Sequence, residues 1–218
     1  MPQRSPIVLE PRKSPVQARS AASLEAILDA TTQVLLSLGK ERLTTTRVAL
    51  RAGVSVGTLY QYFPNKSALL QAALTRHLDQ VTAAVERACL EQKDKTLRQM
   101  VTALITAFLQ AKMSNAKASV AFYSVSSDVD GASILRRMRS RSNKAILRML
   151  ATASEPLTND PQLFAFMLQG AMVGVTQKLL ELGEPEEHFD VLRRELIFLA
   201  CAYLDACSAR TAVQTVGV

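Results

Sequence analysis

The chain has 218 residues, a formal net charge of +7, 48% hydrophobic residues and 21% charged residues. These values are typical of a globular protein with a sizeable core, and the positive charge favours a polyanionic partner such as nucleic acid or an anionic membrane surface. Three cysteines without CxxC spacing argue against a disulfide framework and a zinc site. No apolar run reaches the ~18 residues of a membrane span, and the N-terminus lacks the apolar core of a signal peptide. The sequence therefore predicts a cytoplasmic protein that does not enter the membrane.

The pattern along the chain predicts an all-α protein of about nine helices. Residues 1–19 combine four prolines with four basic residues and predict a flexible basic arm. Such an arm can reach a DNA minor groove, although an inert tail is the simpler interpretation. After it, apolar positions follow the helical period, and no alternating strand pattern of useful length appears. We expect an N-terminal three-helix, helix-turn-helix domain over residues 20–66, a larger helical domain for ligand binding and dimerisation over 67–209, and a frayed tail over 210–218.

The first three helices are marked by their caps and turns. Gly39 suits the end of the first helix, and Thr45 is a candidate N-cap for the second. Gly53 can take a positive φ at the next turn, Ser55 can cap a third helix, and Pro64 stops that helix. The inward positions are Val48, Ala49, Val54 and Leu59. Two short helices joined by a glycine turn indicate a helix-turn-helix.

The outward side of the third helix presents hydroxyl, amide and methyl groups that suit base edges in a DNA major groove. Its positions are Ser55, Val56, Gly57, Thr58, Tyr60 and Gln61. Thr44, Thr45 and Tyr60 can donate hydrogen bonds to phosphate oxygens. Lys66 falls in the first turn of a fourth helix, where the helix dipole disfavours a cation, so we expect it to bind a phosphate. Residues 1–66 also hold nine basic and four acidic residues, which places most of the positive charge here.

This stretch resembles the tetracycline-repressor (TetR/AcrR) family of bacterial transcription regulators. The shared pattern is Thr44-Thr45, Val48-Ala49, Ala52-Gly53-Val54-Ser55, Gly57-Thr58-Leu59-Tyr60, Tyr62-Phe63 and Lys66. The resemblance covers about residues 20–80. It implies a homodimer that binds a palindromic operator in double-stranded DNA and releases it when a small molecule binds the larger domain.

The resemblance also implies individual roles. Thr46 and residues 56–58 would face bases, whereas Arg47 could reach bases or phosphates. The residues that would hold phosphates are Thr45, Tyr60, Tyr62 and Lys66. Val56 departs from the polar or charged residue of many relatives, which would limit direct readout there to contacts such as a thymine methyl.

The larger domain offers candidates for a ligand cavity. They are Phe108, Met113, Phe122, Tyr123, Met138, Phe166, Met172 and Gln177, with Ser124 and Asn143 as further polar groups. Such a lining predicts a mostly apolar or aromatic effector, although Met and Phe stripes more often form plain core.

The last two predicted helices, 161–182 and 186–208, have broad apolar faces that suggest a homodimer interface. Its candidates are Phe164, Gly170, Gly174, Leu192, Leu196, Leu199 and Tyr203. Internal core packing without dimerisation is the alternative. A basic run over 136–148 is either a solvated helix side or a surface for nucleic acid or an acidic partner.

The preferred interpretation is a ligand-responsive DNA-binding repressor. The alternatives are a DNA-bound activator or nucleoid-associated protein, and a helical interaction module that does not bind DNA. The two histidines, His77 and His188, fall in no HExxH motif, and neither a GxSxG motif nor a P-loop is present, which argues against an enzyme. We expect no cofactor and no metal.

Overall fold

The computed structural model describes residues 15–182 and 184–215, and among them it contains nine α-helices, one short 3-10 helix and no strand. The all-α prediction is therefore confirmed. The helices are α1 (Pro15–Arg42), α2 (Thr45–Ala52), α3 (Val56–Tyr62), α4 (Lys66–Glu91), α5 (Leu97–Met113), α6 (Ala116–Val125), α7 (Gly131–Leu150), α8 (Pro161–Glu181) and α9 (Pro185–Thr215). The 3-10 helix, Ser126–Asp128, lies between α6 and α7. The chain divides into two compact units, Met1–Leu69 and Leu70–Val218.

The smaller unit is built on the apolar stripe of α1, against which α2 packs. Its buried apolar side chains are Ile27, Leu28, Ala30, Val34, Leu35, Leu43, Val48, Ala49, Leu59, Phe63 and Leu69. Thr31 is also buried, and its hydroxyl is satisfied by donating a 2.7 Å hydrogen bond to the carbonyl of Ile27. This core fixes α2 and α3 by their inner faces, which leaves their outer faces available.

Several predicted boundaries differ from the structure. The first helix begins at Pro15 rather than after residue 19, because a proline is tolerated in a first helical turn. The last helix continues to Thr215, since no glycine or proline interrupts residues 208–215. The division between units falls after Leu69, inside α4, rather than after residue 66. The rest of the predicted arm and tail, and Gly183, lie outside the described residues.

The larger unit has α5 at the centre of its core, packed against α9, α8 and α7. Its start is fixed by a capping box in which the side chains of Thr96 and Gln99 each accept from the other's main-chain N–H. Seven of its side chains are buried: Leu97, Met100, Val101, Leu104, Ile105, Phe108 and Leu109. The three cysteines are buried free thiols, as the sequence predicts, and burial raises the pKa of Cys89 to about 12.

The turn into α7 requires a glycine. A Cβ atom on Gly131 would lie 2.3 Å from the main-chain oxygen of Ser126, which is far inside van der Waals contact. The preceding residue, Asp130, adopts a left-handed φ of 51°. The 3-10 helix and α7 therefore meet through main-chain atoms, and no side chain fits between them.

One described helix, α8, is long and apolar enough to cross a membrane by length and composition alone. One such helix is weak evidence for a membrane span, and Gln162, Gln169 and Gln177 interrupt its apolar residues. A core helix of a soluble protein passes the same test, and α8 buries Phe164, Ala165, Leu168 and Met172 in the core of the larger unit. Its composition is accounted for by packing on one side and by an exposed apolar face on the other.

Candidate nucleic-acid interface

Both helices of the predicted helix-turn-helix are capped by hydroxyl side chains. Thr44 Oγ1 accepts a hydrogen bond from the N–H of Arg47 at 3.2 Å, so the N-cap of α2 is Thr44 and not the predicted Thr45. Ser55 Oγ accepts from the N–H of Thr58 at 2.9 Å and caps α3 as predicted. Between them Gly53 has φ 68°, the left-handed conformation expected for the turn.

The outer face of α2 and α3 is exposed and free of acidic side chains. Residues 45–62 contain no Asp or Glu, and their charged groups are Arg47 and Arg51. The exposed residues of the face are Thr44, Thr46, Arg47, Ser55, Gly57, Tyr60 and Gln61, with Thr45, Val56, Thr58 and Tyr62 half-buried beside them. The structure therefore brings together on one surface the residues predicted to contact DNA on these two helices.

Tyr60 and Tyr62 hold their hydroxyl groups in place through hydrogen bonds within the smaller unit. Tyr60 Oη lies 3.1 Å from Thr45 Oγ1, which joins α3 to α2. Tyr62 Oη donates to the carbonyl of Ser20 at 3.2 Å and lies 3.0 Å from Ser20 Oγ, which joins α3 to α1. The Thr45–Tyr60 pair shares one hydrogen bond and keeps one hydroxyl proton for a further partner, whereas Tyr62 uses its single proton on the Ser20 carbonyl. The orientation of both phenol groups is set before any ligand arrives.

Lys66 has a structural partner that the sequence did not reveal. Its Nζ donates a 2.7 Å hydrogen bond to the carbonyl of Lys40, just beyond Gly39, where the main chain of α1 leaves helical geometry. The guanidinium of Arg47 donates in the same way to the carbonyl of Arg42. The ammonium therefore stabilises a carbonyl near the end of α1, which is a local function in addition to the predicted phosphate contact.

Leu50 is an exposed residue of this surface that the sequence pattern did not single out. Its side chain is 83% exposed on α2, one helical turn from Thr46. The spacing of four residues between Thr46 and Leu50 places both on the same side of α2, which could have indicated its exposure. A leucine in an amphipathic helix is, however, ordinarily assigned to the core. A methyl-rich side chain here suits a thymine methyl in a major groove.

The structure divides the predicted ligand-cavity residues between the core and the surface. Phe108, Phe122, Met138 and Met172 are buried in the core and Met113 is half-buried, whereas Tyr123, Phe166 and Gln177 are exposed. Gln177 Nε2 donates to Tyr123 Oη at 3.1 Å, which places these two on the surface between α8 and α6. The two cavities described in this unit are lined by other residues of α4, α5 and the turn after α5. A ligand cavity lined by the predicted residues stays a prediction, because methionine and phenylalanine fill a core as readily as they line a cavity.

The predicted dimer residues are also divided by the structure. Phe164 and Leu196 are buried within the chain's own core, Leu192 is half-buried, and the half-buried Tyr203 stacks on Phe164 with ring centroids 5.7 Å apart. Gly170, Gly174 and Leu199 are exposed. The exposed apolar face of α8 and α9 consists of Leu163, Phe166, Met167, Gly170, Val173 and Gly174 on α8 and Val191, Phe198 and Leu199 on α9.

One residue of the basic run on α7 forms ion pairs within the larger unit. Arg141 bridges two acids of α4, with its NH1 atom 2.5 Å from Asp79 and its NH2 atom 2.9 Å from Glu86. These hydrogen bonds raise the pKa of Arg141. The remaining cations of the run are exposed, as expected for a solvated helix side.

Comparison with known proteins decides the family. Residues 96–204, half of the chain, match the model of the tetracyclin repressor-like C-terminal domain, and residues 27–73 match that of the bacterial regulatory proteins of the tetR family. The chain belongs to the TetR family. The suspected resemblance is thereby confirmed.

Individual relatives are similar to the chain over only part of its length. The HTH-type transcriptional repressor KstR of Mycolicibacterium smegmatis is 47% identical over 64 residues, which is 29% of this chain and 31% of that protein. The nucleoid occlusion factor SlmA of Photobacterium profundum is 34% identical over 88 residues, 39% of this chain and 45% of that protein. Each match thus spans less than half of the relative's length.

A solved structure has the same fold over most of the chain. A transcriptional regulator from Rhodococcus sp. Rha1 superposes with a TM-score of 0.67 at 21% identity, covering 84% of this chain and 97% of that one. This agreement extends the shared architecture beyond the short stretch that is similar in sequence.

Proposed function

We propose that this TetR-family chain is a sequence-specific DNA-binding transcription regulator of the bacterial cytoplasm. The observation that carries the proposal is the exposed, acid-free face of α2 and α3, whose hydroxyl groups are held in position by the unit's own hydrogen bonds. The N-terminal residues of α3 would contact base edges in the major groove. Thr45, Tyr60 and Lys66 would hold the phosphates that fix its register. Tyr62 would join them by turning its hydroxyl proton from the Ser20 carbonyl to a phosphate oxygen.

Repression is the proposed direction of regulation, because a protein that occupies a promoter blocks polymerase by its presence. The 47% identity over 64 residues to a protein described as a transcriptional repressor supports this direction. The regulator would act as a homodimer through the exposed apolar face of α8 and α9. Its two-fold symmetry would match a palindromic operator.

Release from DNA would follow the binding of a small molecule to the larger unit. The ligand must favour a conformation in which the two α3 helices no longer match the spacing of the half-sites. The smaller unit would then dissociate from the operator without any change in its internal packing.

The salt dependence of binding tests this function. Affinity for a promoter fragment should fall steeply as salt rises, with a slope of about −0.9 for each phosphate contact, and an unlabelled specific fragment should compete far better than random duplex. A weak salt dependence without sequence-selective competition would instead support a helical interaction module that does not bind DNA.

A nucleoid-associated function is the second candidate, since the chain is 34% identical over 88 residues to a nucleoid occlusion factor. Mapping of bound sites across the chromosome separates the two. A regulator should occupy a few promoters and change their transcripts on deletion, whereas a nucleoid-associated protein should occupy many dispersed sites with little change in transcripts.

A further inference from the structure

A groove of about 390 Å³ runs between α4 and α5 in the larger unit. Its floor is formed by small side chains, Ala84, Ala107 and Ala111, and His77 lines it near the end of α5. A second cavity of about 460 Å³ continues along the same two helices and shares several lining residues with the first. Sites for small ligands have volumes of roughly 300–1,000 Å³, so this groove has room for one.

The hydrogen bonds of His77 define which ring nitrogen carries the proton. Ser119 Oγ donates its single proton to the carbonyl of Lys112 at 3.1 Å. Ser119 Oγ also lies 3.1 Å from His77 Nε2, and it must act there as the acceptor. Nε2 therefore carries the hydrogen, and Nδ1 of the neutral ring is left with a free lone pair.

The surroundings of His77 keep this ring neutral and fixed. Burial, followed by the charges of Lys112 and Arg76, lowers the pKa of His77 to about 4. The ring stacks on Phe122 with centroids 5.2 Å apart, and the side chain is 7% exposed. At neutral pH the groove is thus lined by a fixed, uncharged imidazole ring.

The rest of the lining is polar but nearly balanced in charge. Gln80 and Gln110 offer both donors and acceptors, and Arg87 is offset by Glu91. A carboxylate ligand placed at His77 would direct its lone pairs at the lone pair of Nδ1, and an ammonium ligand would meet the nearby positive charges of Lys112 and Arg76. An uncharged donor avoids both penalties.

We propose that the α4–α5 groove is the effector site and that it binds an uncharged molecule whose hydroxyl or amide N–H donates a hydrogen bond to Nδ1 of His77. The alanine floor accommodates the apolar body of the molecule, and the two glutamines hold its other polar groups. The inference rests on the proposed release by a ligand. It replaces the apolar and aromatic cavity expected from the sequence.

Nuclear magnetic resonance of the histidine ring nitrogens tests the proposal on the full chain. The chain has two histidines, so a His188→Gln variant assigns the His77 signals. The probes are benzyl alcohol, benzoate and benzylamine, which share one ring and differ in their head group. We expect a protonated Nε2 and an unprotonated Nδ1 in the free protein, and a saturable shift of the Nδ1 signal with benzyl alcohol alone.

Variants separate the hydrogen bond from the shape of the groove. His77→Phe retains a ring for stacking but removes Nδ1, and it should weaken binding of benzyl alcohol threefold to tenfold. His188→Gln changes an exposed residue outside the groove and should leave binding unchanged. A protonated Nδ1, a preference for benzoate, or equal binding of the alcohol by His77→Phe would overturn the proposal.

Operator binding by the same samples is measured separately. If the alcohol binds at His77 but DNA binding does not change with any ligand, the ligand site in the groove is confirmed and the proposed release of DNA by a ligand is wrong. If no probe shifts the Nδ1 signal while another molecule releases the DNA, the regulator stands and the effector site assigned here is wrong.

Discussion

The Nζ atom of Lys66 and the main-chain carbonyl oxygen of Lys40 form a hydrogen bond of 2.7 Å. The bond joins the first turn of α4 to the end of α1, just after Gly39 adopts φ 74°. An ammonium group has three protons, so Lys66 can keep this bond while donating to a phosphate. The same side chain thus stabilises the smaller unit and, in the proposed complex, would also present its charge to DNA.

Replacement of Lys66 by alanine should therefore affect both stability and binding. We expect the free energy of unfolding to fall by about 1.5 kcal/mol, since a charge-assisted hydrogen bond is lost, and operator affinity to fall as well. Denaturant unfolding and DNA titration measure the two effects. Lys93→Ala, at an exposed position after α4, is the matched control. Unchanged stability in Lys66→Ala would contradict the capping function.

Two glycines of the smaller unit should respond in opposite ways to alanine. A Cβ on Gly57 would meet only Ser55 Oγ at 3.7 Å, an ordinary contact, so Gly57→Ala should stabilise α3 by roughly 0.5–1 kcal/mol. The added methyl group lies on the face proposed to approach DNA, and affinity should fall about tenfold, equivalent to 1.4 kcal/mol.

The comparison is Gly53→Ala, where φ is 68°. This substitution should destabilise the unit by about 1 kcal/mol because an L side chain is strained in that conformation. Thermal unfolding and DNA titration of both variants provide the test. A stable Gly57→Ala variant with full affinity would show that α3 does not approach DNA closely at this position.

How much the sequence reveals differs between the two units. The turn and caps of α2 and α3 are predictable because each depends on local backbone chemistry, as with Gly53 and Ser55. Whether Thr44 or Thr45 is the N-cap depends on which of them has non-helical φ and ψ angles. Two adjacent threonines give no sequence signal that decides this. The hydrogen bond of Lys66 was not predictable from the local sequence because its partner is a carbonyl 26 residues away.

The cavity and dimer residues were harder to predict because α8 is apolar on several sides. Whether Phe164 or Phe166 faces the core depends on how α8 packs against α5 and α9, and this packing is not a local property. The structure buries Phe164 and leaves Phe166 72% exposed. The α4–α5 groove is lined largely by alanine and polar side chains, so it has no apolar signature in the sequence.

The buried His77 should make stability depend on pH. Its pKa is about 4 in the folded chain against 6.5 for the free side chain, so the unfolded state binds more protons between these values. Stability should be constant above about pH 6.5 and fall by up to about 3 kcal/mol as the pH drops towards 4. The carboxylates titrate in both proteins, so the difference in unfolding free energy between wild type and His77→Phe isolates the contribution of His77. A difference that does not vary with pH would contradict the lowered pKa of His77.

The exposed apolar face of α8 and α9 predicts the effect of a charge at its centre. Phe198 is 70% exposed, and Phe198→Glu should leave the monomer folded but separate the dimer, because a carboxylate would be buried without a partner. Sedimentation velocity measures the mass. Val120→Glu, at a half-exposed position on α6, should remain dimeric. A monomeric wild type, or a dimeric Phe198→Glu variant, would place the face outside any dimer interface.

The most direct test of the account is selection of bound sequences from a random pool of duplex DNA. The wild type should recover a palindrome, and Tyr60→Phe, which removes the hydroxyl 3.1 Å from Thr45, should bind that palindrome more weakly while remaining folded. Failure of the wild type to enrich any sequence, or equal binding by the two proteins, would contradict the assignment of α2 and α3 as a DNA-reading surface.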